Sequence, residues 1–289
     1  MSLQSSELVL NRDGSIYHLG LLPEDMAQII ITVGDPGRVS RISDHFDKIE
    51  IKKQKREFIT HTGYFRGKRI TVMSTGMGTD NIDIALTELD ALANIDLKKG
   101  EIKEKPVSLD IIRIGTTGSI REEIPVGTFI LSEWAIGFDG LMHYYKCDNI
   151  LNKEVAEAFV KQTGWSSKKA MPYVVKGDEE LIAKLSSDST IKGFTGTNIG
   201  FYGPQGRILR AGIPDPAMNN KISSFNYKGH SITNLEMETS GIYGLSHLLG
   251  HRAVSMNVVL ANRANGEFAE DTTKPVDDLI RYSLEKIAQ

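Results

Sequence analysis

Residues 29–38 read IIITVGDPGR. The isoleucines, threonine and valine predict a buried β-strand, and the glycines and proline after them predict a tight turn. The same plan recurs in residues 70–78, ITVMSTGMG, and apolar residues with helical spacing follow from about Asn81 to Asn94. Strands that alternate with helices in this way are typical of an α/β domain around a largely parallel or mixed sheet.

The remaining pattern extends this plan over the whole chain. It predicts further strands at residues 111–114, 128–131 and 253–260, helices at 153–163 and 276–288, and a charged surface loop at 97–106. No repeat, low-complexity tract or linker interrupts the pattern. We therefore predict one domain over residues 1–289, with residues 1–15 as a flexible N-terminal segment.

The composition of the chain excludes several classes of function. The chain has 289 residues, of which 40% are hydrophobic and 25% charged, and a formal net charge of -3, so nothing recruits nucleic acid or an anionic membrane. Cys147 is the one cysteine, which excludes an intrachain disulfide. The first residues lack a signal-peptide pattern, and no apolar run is long enough to span a bilayer. These features predict a cytoplasmic protein.

Three predicted strands end in glycine-bearing loops, at Gly34, at residues 76–78 and at residues 115–118. Ligands of open α/β sheets bind at the carboxyl ends of strands, where glycine lets backbone amides approach an anion. Arg38 and Arg113 lie beside two of these loops, and Arg113 interrupts an apolar strand. Its buried charge needs an anion, either a phosphate or an internal carboxylate such as Glu238. Neither a P-loop nor a dinucleotide fingerprint is present, so a single inorganic phosphate fits best.

Two further stretches carry polar groups suited to a ligand. Residues 234–241, NLEMETSG, put two carboxylates where a strand gives way to a helix, although acidic residues are also common in the first turn of any helix. Residues 201–207, FYGPQGR, supply the flat face of Phe201, the amide of Gln205 and the donors of Arg207. These groups match the edge of uracil or thymine, unless the stretch is an ordinary surface turn.

Taken together, the chain resembles the uridine phosphorylases of the nucleoside phosphorylase superfamily. The matching motifs occur in family order from residue 17 to residue 263: YHLGL (17–21), VGDPGR (33–38), REF (56–58), STGMG (74–78), RIGTTG (113–118), FYGPQGR (201–207), NLEME (234–238) and NR (262–263). The resemblance implies a single-domain, three-layer α/β/α sandwich with a central mixed twisted sheet.

The resemblance also implies a reaction. It is the phosphorolysis of uridine, with deoxyuridine or thymidine as further candidates, to a free base and a pentose 1-phosphate through an oxocarbenium-like transition state. Phosphate is then a co-substrate, and no cofactor or metal is implied beyond a monovalent cation near Glu57. The implied partners are small molecules only. The assembly is a homo-oligomer whose active sites are shared between two subunits, at least a dimer, and the family suggests a hexamer.

The family's site residues carry over position by position. The implied catalytic residues are Arg113, Glu238, Arg207 and Gln205. The phosphate would be held by Gly34, Arg38, Arg56, Arg113 and Thr116, with Arg56 coming from the neighbouring subunit. The ribose would be held by Tyr17, His18, Thr116, Met237 and Glu238, with His18 also from the neighbour. The base would meet Phe201, Gln205, Arg207, Glu236, Leu260 and Ala261, with Arg263 behind them.

Alternatives remain at this point. A purine nucleoside phosphorylase or a nucleosidase of the same fold is the nearest, although the aspartate that protonates a purine in those enzymes is replaced here by the run Ala261–Asn262–Arg263. A non-catalytic nucleoside-binding protein is a second alternative, and a dinucleotide-dependent oxidoreductase a distant third. Residues 97–110 and 208–230 depart from the family pattern. The first segment bears on assembly; the second follows the base-reading residues, so the base preference is less well founded than the reaction.

Overall fold

In the computed structural model of the protein, residues 3–289 are described, and they form a mixed α/β structure. The strands are β1 (Ile29–Val33), β2 (Lys48–Lys55), β3 (Phe58–Phe65), β4 (Lys68–Ser74), β5 (Ile95–Asp96), β6 (Glu101–Ile102), β7 (Asp110–Ser119), β8 (Phe129–Gly137), β9 (Tyr173–Lys176), β10 (Thr190–Thr197), β11 (Ile232–Glu236), β12 (Arg252–Asn262) and β13 (Glu267–Phe268). The helices are α1 (Gly37–Ser43), α2 (Thr79–Asn94), α3 (Lys153–Thr163), α4 (Glu179–Leu185), α5 (Met218–Ser224), α6 (Thr239–Leu249) and α7 (Thr273–Ala288).

The large sheet has eleven strands of mixed direction. Strand β1 lies between β4 and β7 and runs parallel to both, with Ile31 opposite Val72 on one side and Ile112 on the other. One end of the sheet is an antiparallel ladder of β2, β3 and β4. At the other end β7, β11, β10, β8 and β12 pair in a closed circuit, because β12 bonds to both β7 and β8.

Helices cover both faces of this sheet, which confirms the three-layer prediction. Successive residues of a strand point to opposite faces. Ile30 accordingly packs in a core cluster with residues of α2 and α6, whereas Ile31 packs in a second cluster with residues of α1, α4 and α7. A third cluster joins α3 and α5 to the ends of β8 and β10. Within residues 3–289 no helix has the length and apolar content needed to cross a membrane.

Several predicted elements are confirmed, and two need correction. The strand at 29–33 and the helix at 153–163 have the predicted bounds, and the loops at Gly34 and at 76–78 follow β1 and β4. Residues 115–118, however, are not a loop but continue β7, and the charged segment 97–106 contains part of the small β5–β6 hairpin. Residues 3–15 form turns that are bonded to the rest of the chain, for example from the Leu3 amide to the Gly100 carbonyl at 2.7 Å. The flexibility of residues 1–15 stays a prediction.

Candidate active site

The phosphate-loop residues meet at one edge of the sheet. Because β1, β4 and β7 are parallel, their carboxyl ends lie side by side, and this is where α/β sheets bind ligands. The loop at Gly34 touches the loop after β4: a Cβ built on Gly34 would lie 3.3 Å from the carbonyl oxygen of Gly76. Thr116 lies half-buried in the neighbouring β7. The three glycine-bearing stretches therefore surround one position.

Arg113 is buried in β7 and bonded to carboxylates. Its guanidinium donates to Glu238 and to the side-chain oxygen of Asn257, and Nη2 lies 3.4 Å from Oε2 of Glu236. Burial opposes the charge, but the two carboxylates outweigh that effect and raise the pKa of Arg113. The alternative in which Arg113 pairs with an internal carboxylate is therefore present in the structure. One guanidinium has five donors, so this pairing does not exclude a contact with phosphate.

Arg38 lies beside Arg113 without a carboxylate of its own. It is only 9% exposed, and its Nη1 donates to the carbonyl oxygen of Ile114 at 3.1 Å. Its Nε has no partner, and none of the ion pairs formed by residues 3–289 includes it. Burial, followed by the positive charge of Arg113, lowers the pKa of Arg38 to about 10. A buried guanidinium with free donors next to a second one is an arrangement that an oxyanion completes.

We therefore expect Arg38→Met to remove phosphate binding without a large loss of stability. Phosphate at about 100 times its Kd should stabilise the native chain by about 2.7 kcal/mol, and the variant should lose this increment. Because the substitution removes an unpaired buried charge, the free energy of unfolding without phosphate should change by less than about 1 kcal/mol. Thermal unfolding with and without phosphate measures both quantities.

The matched control is Arg41→Met. Arg41 lies on the same helix and pairs at the surface with Asp277, at 2.6 Å. The Arg41→Met variant should keep the full phosphate-induced gain in thermal stability. If Arg38→Met also kept the full gain, Arg38 would not be part of the phosphate site.

The two carboxylates of the stretch 234–238 have different contacts. Glu238 accepts the Gly78 amide through Oε1 at 2.8 Å and Arg113 through Oε2, which ties the loop after β4 to the start of α6. Glu236 accepts from Thr197 Oγ1 at 2.6 Å and from the amides of Glu238 and Thr239, both at 2.9 Å. Burial raises the pKa of Glu236, and Arg113 opposes this rise. These contacts differ from the predicted base-binding role: Glu236 supports the β11–α6 junction.

The predicted base-reading residues lie close together, and their side chains contact one another. The Arg207 guanidinium carbon lies 3.7 Å from the centroid of the half-exposed Phe201 ring, and Nη1 donates to Gln205 Oε1 at 2.7 Å. Gln205 is buried, and its backbone carbonyl accepts from Arg263 Nη1 at 2.9 Å. Burial and the charge of Arg263 lower the pKa of Arg207 to about 10. In this conformation Arg207 covers one face of the Phe201 ring.

The residues predicted to come from a neighbour form a separate group. His18 Nδ1 lies 2.6 Å from Glu88 Oε1, the His18 and Tyr17 rings meet edge to face, and Arg56 lies 5.6 Å from the Tyr17 centroid. No hydrogen bond or ion pair of the described part of the chain joins these residues to Arg38, Arg113 or Glu238. Arg56 has a positive φ of 54° at the β2–β3 turn, where Glu57 reaches the loop at Gly76.

The remaining predicted residues lie on the elements that border the site. Met237 is half-buried between the two carboxylates, and Leu260 and Ala261 are half-buried near the end of β12. Strand β12 pairs with β7 so that Val258 lies opposite Thr116. Sequence reasoning missed Asn257, which bonds to Arg113, although an asparagine in an apolar strand is a readable signal. It also missed Thr197, whose position beside Glu236 depends on the pairing of β10 with β11.

Comparison with known proteins is consistent with this geometry. A family model described as "Phosphorylase superfamily" matches residues 28–288. The uridine phosphorylase of Thermococcus kodakarensis is 28% identical over 275 residues, which cover 92% of this chain and 84% of that protein. A DeoD-type purine nucleoside phosphorylase of Hahella chejuensis is 24% identical over 271 residues, covering 93% of this chain and 96% of that protein. The crystal structure of a Trypanosoma brucei nucleoside phosphorylase, described as showing uridine phosphorylase activity, matches with a TM-score of 0.87 and 30% identity over 98% of both chains.

Proposed function

This chain belongs to the phosphorylase superfamily, and on that premise we propose that it is a pentosyltransferase that cleaves uridine with inorganic phosphate. The observation that carries the proposal is Arg38, a buried guanidinium with an unpartnered Nε beside Arg113 and Glu238. A nucleosidase or a nucleoside sensor has no use for such an anion site. The uridine phosphorylase relatives support uridine as the substrate, with deoxyuridine or thymidine as further substrates.

In the proposed reaction the bond between C1′ and the uracil nitrogen breaks, and its electron pair leaves with the base. A phosphate oxygen forms the new bond to C1′, and the proton that hydrogen phosphate gives up ends on the departing base, which yields uracil and ribose 1-phosphate without a cofactor. Positive charge develops on the sugar and negative charge on the base, so groups that are held in place to face these charges supply most of the catalysis. Holding the phosphate in line adds a proximity effect of roughly 7–11 kcal/mol in favourable cases.

The residues take complementary roles in this proposal. Gly34, Arg38, Arg113 and Thr116 hold the phosphate, and Met237 and Glu238 hold the ribose. Gln205 and Arg207 read the uracil edge and stabilise its developing charge. Phe201 stacks on the ring, and Leu260 and Ala261 line the pocket. A base that stacks on the face covered by Arg207 has to displace the guanidinium.

The direct test measures base release from uridine, thymidine, cytidine and inosine, each with and without phosphate. We expect phosphate-dependent release of uracil, and of thymine if the 2′-hydroxyl is dispensable. Release from inosine would instead favour a purine phosphorylase, and release without phosphate a nucleosidase. Tight uridine binding without any release would leave the nucleoside-binding alternative.

We also propose a cytoplasmic homo-oligomer, at least a dimer and in the family's manner a hexamer, whose sites are completed by Tyr17, His18 and Arg56 of a second copy. A monovalent cation near Glu57 belongs to the same proposal. The support is geometric, because these residues form a group apart from Arg113 and Glu238 within one chain.

If active sites are shared between two subunits, two variants that are each inactive should regain activity when they are mixed. Arg56→Ala damages the site to which a subunit donates, whereas Glu238→Ala damages the subunit's own site. Hybrid oligomers of the two variants contain some sites with neither change, so mixing should restore activity that neither variant shows alone. Mixed oligomers confirmed by mass spectrometry that stay inactive would contradict sharing across subunits. A mixture of Arg56→Ala with His18→Ala is the control: both changes lie in the donated group, so every hybrid site keeps one defect and mixing should restore no activity.

A further inference from the structure

A second cavity of about 440 Å³ opens at the carboxyl ends of β8 and β10. It adjoins the carboxyl end of β11, because the backbone amide of Asn198, which lines the cavity, donates to the Glu236 carbonyl at 2.8 Å. None of Arg113, Glu238, Gln205 and Arg207 lines it. Its lining does include Asn198, Ile199, Gly203 and Pro204, which belong to the segment that leads into the base-reading residues.

The walls of this cavity suit a flat, mostly apolar molecule. The rings of Phe138 and Trp165 stack with their centroids 4.8 Å apart and their planes 27° apart. Pro204, Ile213 and Pro214 also line the cavity. Ligand pockets typically combine such apolar walls with a few polar groups that fix the orientation of the ligand.

The polar groups of the cavity differ in how well they are satisfied. Lys169 Nζ lies 4.2 Å from the centroid of Trp165, and its one hydrogen-bond acceptor within the described residues is Met218 Sδ at 3.0 Å. Both lining carboxylates have stronger partners: Asp139 accepts from the Tyr173 hydroxyl at 2.9 Å, and Asp215 pairs with Lys221 at 2.8 Å. The Lys169 ammonium feels the charge of Asp215 but forms no ion pair among the described residues, so its donors are available to an anion.

Asn198 supplies a second unsatisfied polar group. Its side chain lines the cavity, although the residue is only 2% exposed. The one hydrogen bond that its side chain makes within the described residues runs from Nδ2 to the Gly196 carbonyl at 3.5 Å, the outer limit of such a contact. A buried amide with so little bonding is suited to a ring heteroatom or carbonyl of a ligand.

We propose that this cavity binds a flat heteroaromatic carboxylate. Its ring packs against Trp165 and Phe138, its carboxylate pairs with Lys169, and a ring heteroatom meets the Asn198 amide. Because residues 198–204 run directly into Gln205 and Arg207, occupancy shifts the KM for uridine more than the KM for phosphate. This kinetic consequence rests on the proposed function, whereas binding itself does not.

Binding can be read from tryptophan fluorescence. The chain has two tryptophans, and Trp134→Phe leaves Trp165 as the reporter in the cavity. Pyridine-3-carboxylate is the probe, and pyridine-3-carboxamide is its neutral control. We expect a saturable change with the carboxylate and a much weaker one with the amide, in the presence and in the absence of saturating phosphate.

Three variants test the position of the probe. Lys169→Met removes the charge and should weaken binding of the carboxylate about 10- to 100-fold, whereas Lys168→Met, a change of the exposed neighbour, should not. Gly212→Leu should block the cavity, because Gly212 lines it, and the fold should tolerate the change, since a Cβ at Gly212 meets no atom within 4 Å.

The proposal is overturned if no saturable binding occurs up to about 10 mM probe, or if Lys169→Met and Gly212→Leu bind like the parent. It is also overturned if uridine and phosphate compete with the probe and Arg38→Met abolishes its binding, since the probe then occupies the active site. If the protein binds the probe as expected but cleaves no nucleoside, the proposed function fails and this inference stands.

Discussion

Arg113→Met is expected to abolish phosphate-dependent cleavage and to lower the free energy of unfolding by about 3–5 kcal/mol. The reason for the second effect is that Arg113 is the ion-pair partner of two buried carboxylates, Glu236 and Glu238. Without it both are left in the interior without a compensating charge. The same change removes donors from the proposed phosphate site, and it releases Glu238 from the position in which it would hold the ribose.

Urea denaturation measures the loss of stability, and a phosphorolysis assay measures the loss of activity. Arg252→Met is the matched control, because Arg252 lies on a neighbouring strand but pairs with Asp110 and Glu180 at the surface. Arg252→Met should lower the free energy of unfolding by no more than about 1 kcal/mol. Adding Glu238→Gln to Arg113→Met should recover part of the stability, since it removes one of the stranded charges. A stable Arg113→Met that still cleaves uridine would contradict both arguments.

Arg207→Ala is expected to lower kcat/KM for uridine about 10²- to 10³-fold, the loss that follows removal of one donor to a developing anion. Arg207 lies in a partly buried setting beside Gln205, where a charged donor acts more strongly than in water. Phosphate binding should be unchanged, because no contact of the described residues links Arg207 to Arg38 or Arg113. A fall in kcat/KM for uridine without a change in phosphate binding identifies Arg207 as a base-reading residue.

The measurement is a full kinetic analysis in both substrates, together with the phosphate-induced thermal shift. Arg210→Ala is the control, since Arg210 is exposed on the same segment three residues further along. It should retain activity close to that of the parent. If Arg207→Ala were as active as Arg210→Ala, the assignment of the base site to residues 201–207 would be wrong.

The sequence predicts the parts of this protein that depend on neighbouring residues. Strand β1, its glycine loop and helix α3 follow from local apolar periodicity and turn chemistry, and the structure has them where expected. Phe201, Gln205 and Arg207 could be singled out because they stand within seven residues of sequence. The structure brings them into contact, in an arrangement that the sequence does not reveal.

Gly115 illustrates a glycine whose purpose was misread. It predicted a loop, yet it lies inside β7, and a Cβ there would come within 1.7 Å of Nη1 of Arg113. Glycine is needed at this position to make room for a buried guanidinium, not to turn the chain. Sequence rules assign glycine to turns because they see backbone freedom, whereas the space beside a strand depends on what packs there.

Tertiary structure alone decides which charges meet. Arg113 and Glu238 are 125 residues apart, and the sequence left open whether Arg113 pairs with a carboxylate or with phosphate. The order of the strands brings Arg113 to two carboxylates, and it gives Arg38 no ion pair among the described residues. The second cavity likewise joins Phe138, Trp165, Asn198 and Ile213 from four separate segments. Local patterns fix helices, strands and contiguous motifs, but a pairing between distant segments depends on strand order and packing, which no short stretch of sequence encodes.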